Sequence, residues 1–235
     1  MQLANATVLI TGANRGLGLA FAREALARGA RKVYAAARDP AKVTLPGVVP
    51  ITLDVTRADD VRAAARECGD VTLLINNAGI AMTGGFFAEG SLESAQRHFD
   101  TNVFGPLRLT QAFAPVLASH GGGAILNVLS IASWINGPLL GVYGMSKSAA
   151  WAMTNGVRIE LRGQKTQVLA LHVGFVDTDL TRGLDVPKLA PDAVVRIALD
   201  ALEAGAAEVL ADERTRQVHQ GLSADPAVYL KAMGE

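Results

Sequence analysis

Short runs of β-forming apolar residues alternate with longer alanine-rich stretches along almost the whole chain, and few folds accept that rhythm. The strand candidates are residues 7–11, 32–37, 48–53, 73–76, 124–129, 167–173 and 208–211. Helical patterns lie between them, near 16–28, 58–67, 95–119, 143–161 and 191–204. Strands alternating with helices make βαβ units and a parallel sheet. The strands read as unbroken apolar runs, as a sheet covered on both faces requires. The expectation is an α/β fold, a doubly wound parallel sheet of about seven strands with helices on both faces. At 235 residues the chain is long enough for one well-packed core. No repeat, linker or low-complexity stretch interrupts it, so a single domain over 1–235 is expected. The less regular parts are 78–94, 176–189 and the tail after Asp212. Irregular segments that follow strands are where such sheets bind ligands, and a substrate loop is expected at about 175–190.

Charge narrows the function classes. Lys+Arg and Asp+Glu balance at 22 each, which argues against a basic surface for nucleic acid or an anionic membrane. Cys68 is the single cysteine and the four histidines are scattered, so no metal site is indicated. The opening segment MQLANATVLITGANRG has no basic leader region, and no apolar run approaches the ~18 residues of a spanning helix. A cytoplasmic protein is expected.

The first strand runs into Thr11-Gly12-Ala13-Asn14-Arg15-Gly16-Leu17-Gly18, and a helix follows. Glycines permit a tight turn and let a pyrophosphate approach the backbone, where free N–H groups and the helix dipole hold the anion. The spacing differs from the common G-x-G-x-x-G. A βα turn without a ligand is the plainer alternative.

The helix near residue 143 opens with Tyr143-Gly144-Met145-Ser146-Lys147. Residues four apart share a helix face, so Lys147 sits beneath the Tyr143 ring. A free tyrosine titrates near ~10, and bringing it close to neutrality takes about 4 kcal/mol. A cation ~4 Å away at an effective dielectric of ~20 supplies about that much. Together the two residues make an acid–base pair. An isolated Y-x-x-x-K more often decorates a helix, but Ser130 closes the fifth strand, Ala124-Ile125-Leu126-Asn127-Val128-Leu129-Ser130. A hydroxyl there reaches ligands beyond the strand's carboxyl end and stabilises an alkoxide as it forms.

With these motifs in order the chain resembles the single-domain branch of the short-chain dehydrogenase/reductase family, from Thr7 to about Asp212. Asn76-Asn77-Ala78-Gly79 matches the motif closing the family's fourth strand. Asn102, in Asn102-Val103-Phe104-Gly105, matches the asparagine that completes a tetrad with Ser130, Tyr143 and Lys147. The resemblance implies a Rossmann-like fold, a nicotinamide cofactor and hydride transfer. Ser130 would orient a carbonyl, Tyr143 would exchange its proton, Lys147 would bind the nicotinamide ribose and Asn102 would hold a water. It further implies cofactor contacts at Gly12, Arg15, Gly16, Leu17, Gly18, Asp54, Val55, Asn77, Ala78, Gly79, Val176 and Thr178. For Asn102 the residue-level alternative is hydrogen bonding inside a helix; for Asp54 it is a turn cap, and for Thr178 a helix N-cap. Val173-Gly174 replaces the family's Pro-Gly, and losing proline is expected to loosen the chain entering the substrate loop.

The second strand ends Ala35-Ala36-Ala37-Arg38. Enzymes preferring NAD place a carboxylate there for the ribose 2′-hydroxyl. Arg38, aided by Arg15, instead suits a 2′-phosphate, so the expected cofactor is NADP(H). The site is flanked by Ile131, Trp134, Ile135, Pro138, Leu139, Leu140, Phe175, Leu180 and Leu184, with Arg182 as the one charged exception. The expected substrate is a hydrophobic ketone, aldehyde or secondary alcohol. Ala149-Ala150-Trp151-Ala152-Met153 is apolar all round, which together with the family's habit implies a homodimer or homotetramer. Two other readings compete with this one. An NADP-binding sensor would lose the catalytic set, and a nucleotide-sugar epimerase would carry a larger C-terminal substrate domain.

Overall fold

The computed structural model describes residues 1–230. Seven parallel strands form one sheet in the order β3-β2-β1-β4-β5-β6-β7. They are β1 (Thr7–Thr11), β2 (Lys32–Ala37), β3 (Val49–Thr52), β4 (Leu73–Asn76), β5 (Gly123–Val128), β6 (Thr166–His172) and β7 (Glu208–Leu210). The helices are α1 (Gly16–Ala27), α2 (Ala58–Glu67), α3 (Ser91–Phe99), α4 (Gly105–Ser119), α5 (Gly141–Glu160), α6 (Pro191–Glu203) and α7 (Glu213–Gln220).

Every residue of β1 is buried, because the sheet carries helices on both faces. Val8 and Ile10 pack with α1 and α6 on one side, among Phe21, Ala25, Val194 and Leu199. Leu9 points the other way, into a cluster with Val61 of α2, Leu109 and Phe113 of α4 and Val157 of α5. Burying one such side chain contributes roughly 1.5–3 kcal/mol. β3 pairs with β2 alone and holds Pro50, which an edge strand tolerates because its outer N–H positions need no partner.

β1, β2, β4 and α2 have the expected bounds, other elements appear with shifted ends, and two differences are larger. The pattern over 95–119 is not one helix. α3 begins at Ser91, and five residues, Asp100–Phe104, form a π turn before α4 starts at Gly105. Pro106, in the first turn of α4, has no N–H to continue the ladder, and a wider turn absorbs the break. The tail after Asp212 is not irregular, since it opens with α7. The Asp212 side chain caps that helix, accepting from Thr215 N at 2.8 Å and from Thr215 Oγ1 at 2.7 Å.

The strand order reverses between β1 and β4. The crevice beyond their carboxyl ends is where open α/β sheets bind ligands.

Candidate active site

The glycine turn leaves β1 through that crevice. Gly12 has φ +65 and Gly16 φ +55, a left-handed backbone that favours glycine. Gly18 is required for another reason. A Cβ there would lie 2.2 Å from Gly12 O and 2.6 Å from Asn77 Nδ2. The turn is therefore pressed against the end of β4. Asn77 Nδ2 donates to Thr11 O at 2.8 Å, and Thr11 Oγ1 accepts from Asn77 N and Ala78 N at 3.0 and 2.9 Å. α1 has no side-chain cap and no acidic residue in its first turn. Its leading N–H groups and positive dipole end thus lie at the crevice with no side chain capping them. These features fit a pyrophosphate.

The end of β2 lies beside this cradle. Ala37 is buried, whereas Arg38 is exposed and makes no hydrogen bond or ion pair among the described residues. Asp39 turns back to accept from Ala41 N at 3.2 Å and lies 3.6 Å from Lys42 Nζ. Asp54 makes a local turn, accepting from Thr56 N at 2.9 Å and Thr56 Oγ1 at 2.7 Å. Burial raises its carboxyl pKa, but the Thr56 bonds, Arg38 and Arg57 outweigh burial and hold it below the ordinary value. Val55 is buried against Gly105. Arg15 does not lean toward Arg38. Its guanidinium pairs with Asp179 of the substrate loop at 3.0 Å, and Arg182 pairs with the same carboxylate.

The four expected catalytic residues converge at the carboxyl end of β5. Ser130 follows the strand in extended conformation (φ −155, ψ 159), and its Oγ accepts from Ala132 N at 3.1 Å. The Tyr143 side chain lies beside Ser130, whose hydroxyl acts to lower the Tyr143 pKa. Lys147 Nζ lies 5.8 Å from the centre of the Tyr143 ring and donates to Val128 O at 2.8 Å. Lys147 is buried, and burial pushes its ammonium down to about 8. Burial also pushes the Tyr143 hydroxyl up, outweighing the lowering effect of the neighbouring Ser130 hydroxyl. The charge expected to lower Tyr143 is thus not supplied by Lys147 alone, because desolvation acts on both groups.

Asn102 lies in the π turn and is buried. Its side chain does not bond within its helix. It closes a two-way pair with the Ile80 backbone, accepting from Ile80 N and donating to Ile80 O at 2.9 Å each, and it donates to Ser146 Oγ at 3.0 Å. The π turn aims Asn102 across the crevice to the loop after β4 and to α5. Gly79 lies at the meeting point, where a Cβ would be 3.3 Å from Asn102 Oδ1 and 4.0 Å from Lys147 Nζ.

Two loops wall the cleft. Gly84 N donates to Leu139 O at 2.8 Å, and Phe86 lies over Gly141. Phe86, Phe87, Leu139, Leu180 and Leu184 are exposed. Trp134 is not a cleft residue, since it stacks on His172 at 4.0 Å. Val176 is buried and bridges to Leu189, which closes the substrate loop at its base. Thr178 starts a short 3₁₀ turn with its N–H on Thr181 Oγ1 at 3.4 Å, and its methyl faces Gly16. At Val173-Gly174 the chain entering the substrate loop is tied by Val173 O, which accepts from Ile131 N at 3.0 Å, and by Gly174 N, which donates to Asp212 Oδ2 at 2.8 Å.

Sequence reasoning gave no role to Asp179, Asp212 or His98, whereas His172 reads from sequence as a core histidine with its hydrogen bonds satisfied and is fully buried with partners on both ring nitrogens. His98 is fully buried, edge-on to the Tyr143 ring at 6.2 Å. Asp212 alone left a signal, the Asp-x-x-Thr spacing of a helix cap.

Among the described residues no helix is long and apolar enough to cross a membrane, and no group of three or more potential metal-ligating side chains is found. A family model described as short chain dehydrogenase matches residues 6–187. A short chain dehydrogenase from Burkholderia cenocepacia, solved in complex with NADP, is 39% identical with a TM-score of 0.92, over 96% of this chain and 96% of that one. Ketoacyl reductase HetN from Nostoc is 31% identical, covering 90% of this chain and 80% of that protein. Short chain dehydrogenase tazN from Aspergillus terreus is 30% identical over 83% of this chain, which spans about half (49%) of that longer relative.

Proposed function

The chain belongs to the short-chain dehydrogenase/reductase family of oxidoreductases, and from that premise we propose that it is a single-domain, NADPH-dependent carbonyl reductase acting on hydrophobic ketones or aldehydes. The observation that carries this reading is the grouping of Ser130, Tyr143 and Lys147, with the Lys147 ammonium 5.8 Å from the Tyr143 ring centre, beside a glycine cradle shaped for a pyrophosphate.

Gly12, Arg15, Gly16, Leu17 and Gly18 would hold the pyrophosphate side of the cofactor, and Arg38 its 2′-phosphate. Asp54 and Val55 would flank the adenine. Asn77, Ala78 and Gly79 would form the wall beside β4, while Val176, Thr178, Tyr143 and Lys147 would meet the nicotinamide half. When bound, that half supplies the hydride. The protein's part is proton chemistry and orientation. Ser130 Oγ and Tyr143 Oη together grip the substrate oxygen, and Tyr143 gives it a proton as negative charge develops there. Raised by burial, Tyr143 stays protonated at neutral pH, which suits reduction. Lys147, with its ammonium near 8, is poised to return a proton through the Asn102 side of the site.

The rim formed by Phe86, Phe87, Leu139, Leu180 and Leu184 supports an apolar substrate. Arg182, the one cation beside it, is paired with Asp179. A homodimer or homotetramer through α4 and α5 remains the preferred assembly, with Phe104, in the π turn that leads into α4, and Ile159 of α5 exposed. Trp151 is better read as internal, because it packs edge-on to Trp134 at 6.1 Å. A panel of neutral and charged ketones and aldehydes, followed by loss of NADPH absorbance, tests the substrate class. Turnover of aryl or alkyl ketones above charged analogues of equal size is expected. Preference for the charged analogues would contradict it.

A further inference from the structure

Two histidines are fully buried, and their hydrogen bonds separate them. His98 Nε2 lies 3.1 Å from the Met82 N–H, and Nδ1 lies 2.7 Å from the Ser94 carbonyl. One nitrogen accepts and the other donates, so a neutral ring satisfies both. His172 is different. Its Nδ1 faces the Ser130 carbonyl at 3.2 Å, and its Nε2 faces the Glu208 carboxylate at 3.1 Å. Both partners are acceptors. A ring with one proton would leave a lone pair against an oxygen inside the protein, which costs roughly 1–3 kcal/mol.

The surroundings suit a second proton. The Glu208 carboxyl is held below its ordinary value first by the hydrogen bond from His172, against burial, with further help from the charge of His219. Glu208 therefore presents an anionic acceptor to Nε2, as the Ser130 carbonyl presents an acceptor to Nδ1. The Trp134 indole stacks on that ring with 17° between planes, an arrangement that favours a cation over an aromatic face. Other groups near the pair are His219 of α7, 3.6 Å from Glu208, and Arg158 of α5, which donates to Val168 O and Ala207 O. Asp212 lies on the same side and is bound to Gly174 and Thr215.

We propose that His172 carries protons on both ring nitrogens and acts as a positioning residue, clamping the Ser130 carbonyl from beneath while Glu208 holds the imidazolium. Ser133 N, at 2.9 Å, is the only other donor to that carbonyl among the described residues. Fixing the carbonyl fixes the Ser130 peptide plane and so the aim of its Oγ toward Tyr143. The proton count on His172 stands by itself; the consequence for turnover rests on the reductase reading.

Isotope-edited NMR of the histidine ring nitrogens in the intact protein at neutral pH tests it, with His172→Gln to assign the signals. Two protonated nitrogens on His172 are expected. Glu208→Gln removes the anion at a side chain about one-third exposed, where folding is not at stake. In that variant the ring should fall to one proton and the Ser130 carbonyl carbon shift should move. With NADPH and an aryl ketone that the wild type turns over, kcat should drop on the order of tenfold or more, as misaimed catalytic groups do, at unchanged KM for NADPH. A neutral His172 in the wild type overturns the proposal, as does an unmoved Ser130 signal in Glu208→Gln. A wild type that reduces no carbonyl at all refutes the reductase reading and leaves the two NMR results to decide this one.

Discussion

Replacing Arg38 with alanine isolates the source of cofactor preference. Arg38 is exposed at the end of β2, and among the described residues it has no ion pair to lose. The nearest acidic side chain in sequence, Asp39, is occupied by Ala41 N and lies close to Lys42. Arg15, the other basic candidate, is engaged with Asp179. The burden of a 2′-phosphate therefore falls mainly on one guanidinium. A charge-assisted hydrogen bond contributes ~1.5–3 kcal/mol, and losing one corresponds to a change of roughly ten- to a hundred-fold in affinity. The lower part of that range is expected, because an exposed charge is screened by solvent. Arg38→Ala should thus raise KM for NADPH about tenfold or more and leave KM for NADH nearly unchanged. Raising the salt concentration should narrow the wild-type preference in the same direction. The assay is steady-state kinetics with both nucleotides against one ketone, with thermal unfolding as a control for the fold. Equal losses for both nucleotides, or a wild type that prefers NADH, would refute the reasoning.

Two further perturbations follow from the same geometry. Gly18→Ala places a methyl 2.2 Å from Gly12 O; overpacking of this kind costs typically ~1–3 kcal/mol, and isothermal titration should show NADPH affinity falling at least tenfold, whereas unchanged affinity would mean that the cradle is not the nucleotide site. Lys147→Met should abolish turnover, yet without nucleotide it should be no less stable than the wild type at neutral pH. The Lys147 ammonium falls from 10.5 to about 8 on folding, so between those values the unfolded chain binds more protons and wild-type stability rises with pH. Denaturant unfolding should show the variant's advantage shrinking across that window, and an advantage that grew with pH would reverse the sign of the argument for a desolvated lysine.

Much of the fold was legible because both faces of the sheet are covered. β1, β2, β4, β5 and β6 had to be written as largely continuous apolar runs. The site was legible where local geometry suffices: a glycine turn between a strand and a helix, a Tyr and a Lys one helical turn apart, a serine at a strand end. What escaped depends on partners distant in sequence. Asn102 finds Ile80 and Ser146 only because Pro106 forces a π turn. Arg15 meets Asp179 across 164 residues. Trp134 looked like a cleft residue beside Ser130 but turns onto His172, whose second partner, Glu208, belongs to the last strand. α7 was missed because its core-facing positions are few, with Thr215 and Val218 buried and charged residues over much of the rest.

The central claim is that Tyr143 is the proton donor, and Tyr143→Phe tests it most directly. The substitution keeps the ring beside Lys147 and His98 and removes the hydroxyl beside Ser130. Single-turnover reduction of an aryl ketone, with NADPH binding measured in parallel, should show the rate falling by roughly 10²–10⁴-fold at nearly unchanged nucleotide affinity. A variant that binds NADPH normally and still reduces the ketone at close to the wild-type rate would contradict the account.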